Sequence, residues 1–179
     1  MNSTDHTMPP ERLAIAEQFF FRLQQCANML QKTGTRVVGD EKLTTQQCAV
    51  LGALTLPRAQ AGMSVGELTR HLMVSRQNLA GVISRMERAG FLAVAPDERD
   101  RRSRLITITQ RGRGVWEDLV TPKLHRYYDQ ALSGFQIEDI NRSLSSMLRL
   151  LDNMAAMDSD FRQDEEQKAA GGNTRQDQA

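Results

Sequence analysis

Three side chains suited to hydrogen bonding with nucleobase edges follow one another in this 179-residue chain: Arg76, Gln77 and Asn78. Arginine can pair with two acceptors of guanine at once, and glutamine or asparagine can pair with the donor and acceptor of adenine. Ser75 stands directly before them, and serine is a favoured helix N-cap. The three residues are therefore predicted to form the first turn of a helix that could read bases in a major groove.

The predicted helix has two unlike faces. One face is an apolar stripe with the spacing i, i+3, i+4 and i+7, formed by Leu79, Val82, Ile83 and Met86. Gly81 lacks bulk on the other face and allows a close approach, and Gly90 is predicted to end the helix. The candidate DNA-contacting residues of this second face are Arg76, Gln77, Asn78, Gly81, Ser84, Arg85 and Arg88.

A shorter helix is predicted just before it. Ser64 and Glu67 have the spacing of a capping box, in which each side chain satisfies the backbone N–H of the other residue. This helix ends near Leu72, and Ser75 caps the next one. A junction this short indicates a helix-turn-helix, and we include Ser64 and Ser75 among the candidate DNA-contacting residues.

A charged hairpin is predicted after the second helix. Residues 91–95 and 104–109 read as short strands, and the turn between them is too charged to be buried. Its arginines could enter a narrow minor groove while its aspartates brace them through charge-assisted hydrogen bonds; they are Arg99, Arg101, Arg102, Asp97 and Asp100. The alternative is an ordinary solvated loop.

The order of helix, helix-turn-helix and charged hairpin, followed by a strand reading LITITQRG, resembles the MarR (multiple antibiotic resistance regulator) family. The resemblance covers about residues 11–161, and its specific part lies at about 64–112. Two triplets of the hairpin fit the family's D-x-R motif, and counting back from Thr109 favours the second, which ends in Arg102. Met73 departs from the family pattern because relatives often have glycine in that turn.

The resemblance implies a winged helix-turn-helix that binds a double-stranded DNA operator as a triangular homodimer and answers to a small effector, often an aromatic or other amphipathic acid. The predicted fold is mainly α with a small β-hairpin. The predicted organisation is a disordered arm (1–10), an N-terminal dimerisation helix and connection (11–43), the DNA-binding domain (44–112), C-terminal dimerisation helices (113–162) and a disordered tail (163–179).

Helices at both ends of the chain carry apolar stripes with coiled-coil-like spacing. The first stripe is Leu13, Ala16, Phe20, Leu23, Ala27 and Leu30, and the last is Ile137, Ile140, Leu144, Met147, Leu151 and Met154. Leaving such stripes in water is costly, which favours a homodimer built from both chain ends. The alternative is that the stripes pair with each other inside a monomer.

Charge is distributed unevenly along the chain. The net charge is +1, but residues 70–113 hold ten arginines against four acidic residues, a balance of +6, whereas residues 155–179 hold three bases against six acids. This concentration of basic charge indicates a nucleic-acid-binding segment. Neither a bilayer-spanning apolar run of ~20 residues nor a signal sequence is present, which predicts a cytoplasmic protein without a membrane partner.

Two features could serve a sensing function. Arg22 lies with Phe19 on a second apolar stripe, and a cation on a buried face needs an anionic partner. That partner could be a carboxylate effector or an acidic residue of another subunit, and a snorkelled side chain is the third possibility. Cys26 and Cys48 offer a thiol-based alternative, although we expect both to be buried and structural, with a helix dipole favouring thiolate at Cys48.

Other classes of function have less support. The chain has no nucleophile elbow, phosphate-binding glycine loop or HExxH motif, and its cysteines lack metal-ligand spacing, so neither an enzyme nor a metal or other cofactor is predicted. A winged helix used only for protein contact would not need the arginines, Gln77 and Asn78. The sequence favours a homodimeric, ligand-responsive transcriptional regulator, with repression as the expected output.

Overall fold

A long helix and a shorter one open the fold. The structure is a computed structural model that describes residues 8–39, 43–97, 100 and 103–173. Helix α1 is Pro10–Val38 and helix α2 is Thr45–Leu54, whose N-cap Thr44 forms a capping box with Gln47. Within the predicted helix and connection (11–43), the helix extends to Val38, and its last turns bury Gly34 and Val38.

The helix-turn-helix follows α2. After a single 3₁₀ turn at Pro57–Ala59 come strand β1 (Met63–Ser64), helix α3 (Val65–Leu72) and helix α4 (Arg76–Arg88). The predicted capping box is confirmed: Ser64 N donates to Glu67 Oε2 at 2.7 Å, and Glu67 N donates to Ser64 Oγ at 3.2 Å. Gly90 has a φ of +75° just beyond α4, which confirms its predicted role in ending the helix.

The predicted hairpin is present as part of a three-stranded antiparallel sheet. Strands β2 (Leu92–Pro96) and β3 (Arg104–Ile108) pair in the register Leu92 with Ile108, and β1 pairs with the other edge of β3. Strand β1 was not predicted because two residues are too few to show an alternating pattern. The sheet order is β1-β3-β2.

The helical region after the hairpin, where C-terminal dimerisation helices were predicted (113–162), begins with a divided helix. Helix α5 (Gln110–Gly114) leads into a π-helical segment (Val115–Val120), which continues as helix α6 (Thr121–Ala131). Within this segment the Thr121 N–H reaches the carbonyl of Trp116, five residues back. The hydroxyl of Thr121 donates to the same carbonyl at 2.8 Å and so helps to hold the irregular turn.

The buried apolar residues of the described chain lie between Val38 and Val120 and hold the helix-turn-helix to α2 and the sheet. The chain divides into two compact units, Met1–Ala131 and Leu132–Ala179. The mainly helical fold with a small sheet agrees with the predicted fold class. No helix among the described residues has the length and apolar character required to cross a bilayer.

The second unit contains helix α7 (Ile137–Asn173). Its apolar stripe is exposed along most of its length, from Ile137 to Phe161. We predicted disorder from Gln163, and this is wrong for residues 163–173, which are helical. Glutamine, glutamate, lysine and alanine are good helix formers and no proline interrupts them, so the helix continues although this part lacks apolar periodicity.

Candidate nucleic-acid interface and ligand cavity

The turn between α3 and α4 has an unusual backbone. Met73 has φ 52° and ψ 42°, the left-handed conformation that favours glycine, and its side chain is exposed. Its N–H and that of Val74 both donate to the carbonyl of Thr69, which closes the end of α3. The sharp reversal therefore forms without glycine, at the cost of backbone strain at Met73.

Helix α4 is fixed by its buried stripe. Leu79, Val82, Ile83 and Met86 are all buried, as predicted. At the N-terminus, Asn78 N donates to Ser75 Oγ at 3.3 Å, so Ser75 is the N-cap. The opposite face is open to solvent: Gly81 is half-buried, and the exposed residues are Ser75, Arg76, Gln77, Asn78, Ser84, Arg85 and Arg88.

The arginines of this face rest along the protein surface. Arg76 Nη2 lies 3.7 Å from where a Cβ on Gly66 would stand, so its guanidinium turns back toward the first turn of α3. Arg85 Nη1 lies 3.6 Å from the equivalent position at Gly81, and Arg88 Nε donates to the carbonyl of Ser84 at 3.4 Å. Side chains held this loosely can move toward an incoming phosphate or base.

Ser64 lies at the start of α3, away from the α4 face that carries most of the candidate DNA-contacting residues. Its hydroxyl and its backbone N–H are both used in the capping box of α3, and it pairs with Leu105 in the sheet. The structure therefore gives Ser64 a role in shaping the fold and leaves no spare donor on its backbone.

The base of the hairpin is joined to α5 through one threonine. Thr109 Oγ1 donates to the carbonyl of Gly90 at 2.7 Å and accepts from Gly112 N at 3.0 Å, and Thr109 N donates to the carbonyl of Phe91 at 3.1 Å. Arg111 adds a cation–π contact, with its guanidinium carbon 5.3 Å from the centre of the Phe91 ring. These contacts fix the root of the wing to both helices that flank it.

The tip of the hairpin is only partly described. Asp97 N donates to the carbonyl of Ser103 at 3.1 Å, and Ser103 N donates to the carbonyl of Asp100 at 2.8 Å. Arg99, Arg101 and Arg102 lie outside the described residues. Their contact with a minor groove, and their bracing by the two aspartates, stay predictions.

A cavity of about 290 Å³ lies within the first unit, between α1, α2, the π-helical segment and α6. Its walls include the rings of Trp116, Tyr127 and Tyr128. Gln31 and Thr45 add polar groups, and the remaining lining residues are Leu30, Gly34, Val38, Cys48, Ala49, Gly52 and Leu124. We call this space the aromatic cavity. Its mixture of rings and a few hydrogen-bonding groups is typical of a small-molecule site.

Two contacts hold the aromatic walls in place. A Cβ on Gly52 would lie 2.9 Å from Trp116 Cη2, so the indole ring packs directly on the backbone of α2. On the opposite side, Thr33 Oγ1 and Tyr127 Oη are 2.8 Å apart and share a hydrogen bond between α1 and α6. The aromatic cavity is thus built on rigid elements.

A second cleft, of about 160 Å³, lies between α1, α2 and the helix-turn-helix. The residues of the helix-turn-helix that line it are Leu72, Val74, Asn78, Leu79 and Val82. Gln31, Thr45 and Ala49 line both this cleft and the aromatic cavity. We call it the rear cleft, because it lies against the side of α4 that carries the buried stripe.

The two cysteines differ in their burial, and only Cys48 is buried as we predicted. Cys48 is buried in α2 and lines the aromatic cavity, and burial raises the pKa of its thiol to about 11. Desolvation therefore outweighs the helix dipole, and the expected stabilisation of thiolate at Cys48 is wrong. Cys26 was expected to be buried, but it is exposed in this chain because α1 presents that face to solvent.

Arg22 and Phe19 also lie differently from the expectation. Both are exposed, so the premise that Arg22 sits on a buried face is wrong for the single chain. Arg22 Nη1 donates to Gln25 Oε1 at 2.8 Å, and the Phe19 ring makes an edge contact with Phe20 at 5.7 Å. Neither residue lines the aromatic cavity.

The sequence comparisons assign the family. Residues 42–103 match the profile of the MarR family. The chain is also 59% identical over 147 residues to the transcriptional activatory protein BadR of Rhodopseudomonas palustris, an alignment that covers 82% of this chain and 84% of that protein. The chain belongs to the MarR family. It is a transcriptional regulator of that family, and the predicted resemblance is confirmed.

Solved structures of MarR-like regulators share the fold. BpsR of Bordetella bronchiseptica, described in a study of the regulation of its DNA binding by 6-hydroxynicotinic acid, is 26% identical with a TM-score of 0.65, covering 76% of this chain and 94% of that one. BldR of Sulfolobus solfataricus is 19% identical with a TM-score of 0.68, covering 79% and 99%. These similarities confirm the winged helix-turn-helix.

The aromatic cavity of this MarR-family chain was missed from the sequence. The only tryptophan, Trp116, and the two tyrosines, Tyr127 and Tyr128, were a visible signal, since they lie close together in the predicted C-terminal dimerisation region. The π-helical segment contains Trp116 and precedes both tyrosines, so it changes which residues share a face, and it leaves no mark in the spacing of apolar residues. The contributions of Gln31 and Thr45 depend on the tertiary contact between α1 and α2.

Proposed function

We propose that this regulator is a homodimer that binds a pseudo-palindromic DNA duplex through α4 and whose DNA affinity is set by a small aromatic ligand. The observation that carries the proposal is the first turn of α4, where Arg76, Gln77 and Asn78 are exposed beside a fully packed stripe. A rigid helix with bidentate donors and acceptors at its start is what base readout requires. Arg85 and Arg88 on the same face suit contacts with phosphates.

The dimer is supported by apolar surface in each unit. Helix α1 exposes Leu13, Ile15, Phe20, Met29 and Leu30, and helix α7 exposes Leu144, Met147, Leu151 and Met154. Covering such surface contributes roughly 25 cal/mol for each Å² removed from water. A two-fold dimer would place two recognition helices in successive major grooves, about 10 bp apart.

The ligand is proposed to bind in the aromatic cavity. A volume of about 290 Å³ suits a single substituted ring, and Trp116, Tyr127 and Tyr128 provide faces for stacking. The described regulation of BpsR by 6-hydroxynicotinic acid, a small aromatic acid, supports this class of effector. The predicted anionic effector is retained, with neutral donors on Gln31 and Tyr128 available to its carboxylate.

The direction of regulation is proposed from the relative at 59% identity. BadR is named a transcriptional activatory protein, which favours activation over the repression that we expected from the sequence. A reporter fused to the regulated promoter, with and without the protein, distinguishes the two outputs. Higher expression with the protein supports activation, and lower expression supports repression.

The DNA-binding proposal is tested by selecting duplexes from a random library at ~0.1 M salt and footprinting the best one. We expect protection that repeats every ~10 bp on one face of the duplex. Gln77→Ala should cost roughly 1–3 kcal/mol and relax preference at one base position. Gln60→Ala removes an exposed glutamine outside α4 and is the matched control. If the protein selects no duplex, the alternative of a protein-interaction module gains support.

A further inference from the structure

The start of α2 lies between the two cavities of the first unit. Thr45 is the first residue of α2, and together with Gln31 and Ala49 it lines both the aromatic cavity and the rear cleft. The two spaces are therefore neighbours, separated by a few side chains rather than by a layer of core.

A hydrogen bond joins two of the residues that separate the aromatic cavity from the rear cleft. Thr45 Oγ1 donates to Gln31 Oε1 and links α1 to α2. The contact is close on the apolar side as well, because a Cβ on Gly34 would lie 2.8 Å from Thr45 Cγ2. Thr45 is therefore packed closely against α1 on its methyl side, whereas the hydrogen bond itself is exposed and accessible to a competing donor.

The far side of the rear cleft is the recognition helix. Asn78, Leu79 and Val82 line that side, and Asn78 belongs to the turn that we propose to read bases. Leu79 and Val82 are core residues that set the position of α4. A group entering the rear cleft would thus contact the residues that hold the DNA-reading turn.

We propose that the aromatic cavity and the rear cleft are two chambers of one effector site, and that the Gln31–Thr45 hydrogen bond is the partition that the effector opens. The inference rests on the proposed function and adds the chemistry of the ligand. The ring occupies the aromatic cavity, and a hydrogen-bond donor on its edge, such as a phenolic hydroxyl or a pyridone N–H, replaces Thr45 as the partner of Gln31 Oε1. The released Thr45 then alters the rear cleft, so the ligand changes the balance between two arrangements of α4.

The structure offers a matched pair of variants. Thr45→Val removes the hydroxyl of the partition but keeps the methyl group that packs near Gly34. Thr35→Val makes the same chemical change at an exposed threonine of α1 that lines neither cavity. Thr45→Ser restores the hydroxyl and serves as the rescue. Ligand binding is followed by the fluorescence of Trp116, the only tryptophan of the chain.

The probes are 6-hydroxynicotinic acid and nicotinic acid, which lacks the hydroxyl, and the DNA is the duplex selected by the wild-type protein. We expect 6-hydroxynicotinic acid to bind more tightly than nicotinic acid and to change DNA affinity fivefold or more. Thr45→Val should shift the DNA affinity of the ligand-free protein by fivefold or more and reduce its response to 6-hydroxynicotinic acid to less than twofold. Thr35→Val and Thr45→Ser should retain the wild-type response within twofold.

A second variant tests whether the effect of Thr45→Val comes from this hydrogen bond and not from a general loss of structure. Gln31→Met removes the other half of the hydrogen bond, and the double variant with Thr45→Val should show no larger shift than either single variant, because all three lack the same bond. The proposal is overturned if Thr45→Val matches Thr35→Val in ligand-free DNA affinity. A wild-type protein that selects no duplex refutes the proposed function instead, and that result is known before any variant is compared.

Discussion

Gly112 approaches the backbone of Phe91 so closely that a Cβ at position 112 would stand 2.2 Å from the Phe91 carbonyl oxygen. The same carbonyl accepts a hydrogen bond from Thr109 N, and Thr109 Oγ1 accepts one from Gly112 N. In the stretch LITITQRG, Thr109 therefore caps α5, and the last residue, Gly112, lets α5 lie against the end of α4. The wing depends on this junction for its position.

Gly112→Ala should destabilise the fold because its methyl group would push two backbone segments apart. We expect a loss of roughly 1–3 kcal/mol in the free energy of unfolding, measured by urea titration. Gly114→Ala is the control, since a Cβ there meets only Asp118 Oδ2 at 3.8 Å and replaces a helical glycine. That variant should be neutral or more stable by up to roughly 1 kcal/mol. Equal stability of the two variants would contradict the close contact.

Met73→Gly should stabilise the helix-turn-helix. Methionine at φ 52° carries strain that glycine does not, and the exposed Met73 side chain contributes little packing. We expect a gain of roughly 0.5–1 kcal/mol in the free energy of unfolding. Met73→Ala removes the same side chain but keeps the Cβ, so it should show no gain, and a gain of the same size would assign the effect to the side chain.

Cys48 should resist alkylation while the protein is folded. Its pKa is raised to about 11, so at pH 8 the thiol is neutral as well as buried. In the Cys26→Ser protein, where Cys48 is the only cysteine, iodoacetamide at pH 8 should label the chain in urea but not in buffer. Rapid labelling in buffer would revive the thiol-sensing alternative at this position.

The same raised pKa predicts a dependence of stability on pH. The folded state favours the neutral thiol, so the contribution is fully present below pH 9 and is lost as the pH rises from 9.0 to about 11. Cys48→Ala should lack this part of the decline. The measurement is the difference in urea midpoint between the two proteins at several pH values from 8 to about 11.

Arg102→Ala should weaken binding to many duplexes together, since an arginine in the minor groove responds to groove width and phosphate charge more than to one base. The slope of the logarithm of the dissociation constant against the logarithm of the salt concentration should fall by about one, because one phosphate contact is lost. Arg162→Ala, an exposed arginine of α7 paired with Asp158, is the control. Unchanged affinity at ~0.1 M salt would mean that the other D-x-R triplet supplies the minor-groove residue.

Arg22→Gln should leave the response to 6-hydroxynicotinic acid intact. Arg22 is exposed, bonded to Gln25 and absent from the lining of the aromatic cavity. Measuring DNA affinity with and without the acid decides the point, with Gln31→Met as the positive control for a lost response. A loss of response in Arg22→Gln with dimerisation intact would place the anion site on α1 instead.

Much of the helix-turn-helix could be predicted because its signals are local. The capping residues Ser64 and Ser75, the stripe from Leu79 to Met86 and Gly90 each act through neighbours in sequence. The cavities could not be predicted, because the contacts of Trp116 with Gly52 and of Gln31 with Thr45 join residues far apart in the chain. Arg22 was misjudged for a different reason. An apolar stripe shows that a helix face must be covered, but it does not show whether the same chain or a second copy covers it.

The π-helical segment sets the rotational register of α6. Its wide turn accommodates one residue more than an α-helical turn would, so α6 is rotated by about 100° relative to a continuous α-helix from Gln110. Deleting the exposed Asp118 would allow a regular helix to form while turning Leu124, Tyr127 and Tyr128 away from Trp116. The aromatic walls of the cavity therefore meet because of a single extra residue. An insertion or deletion at this point should change the selectivity of the proposed effector site without replacing any side chain that lines it.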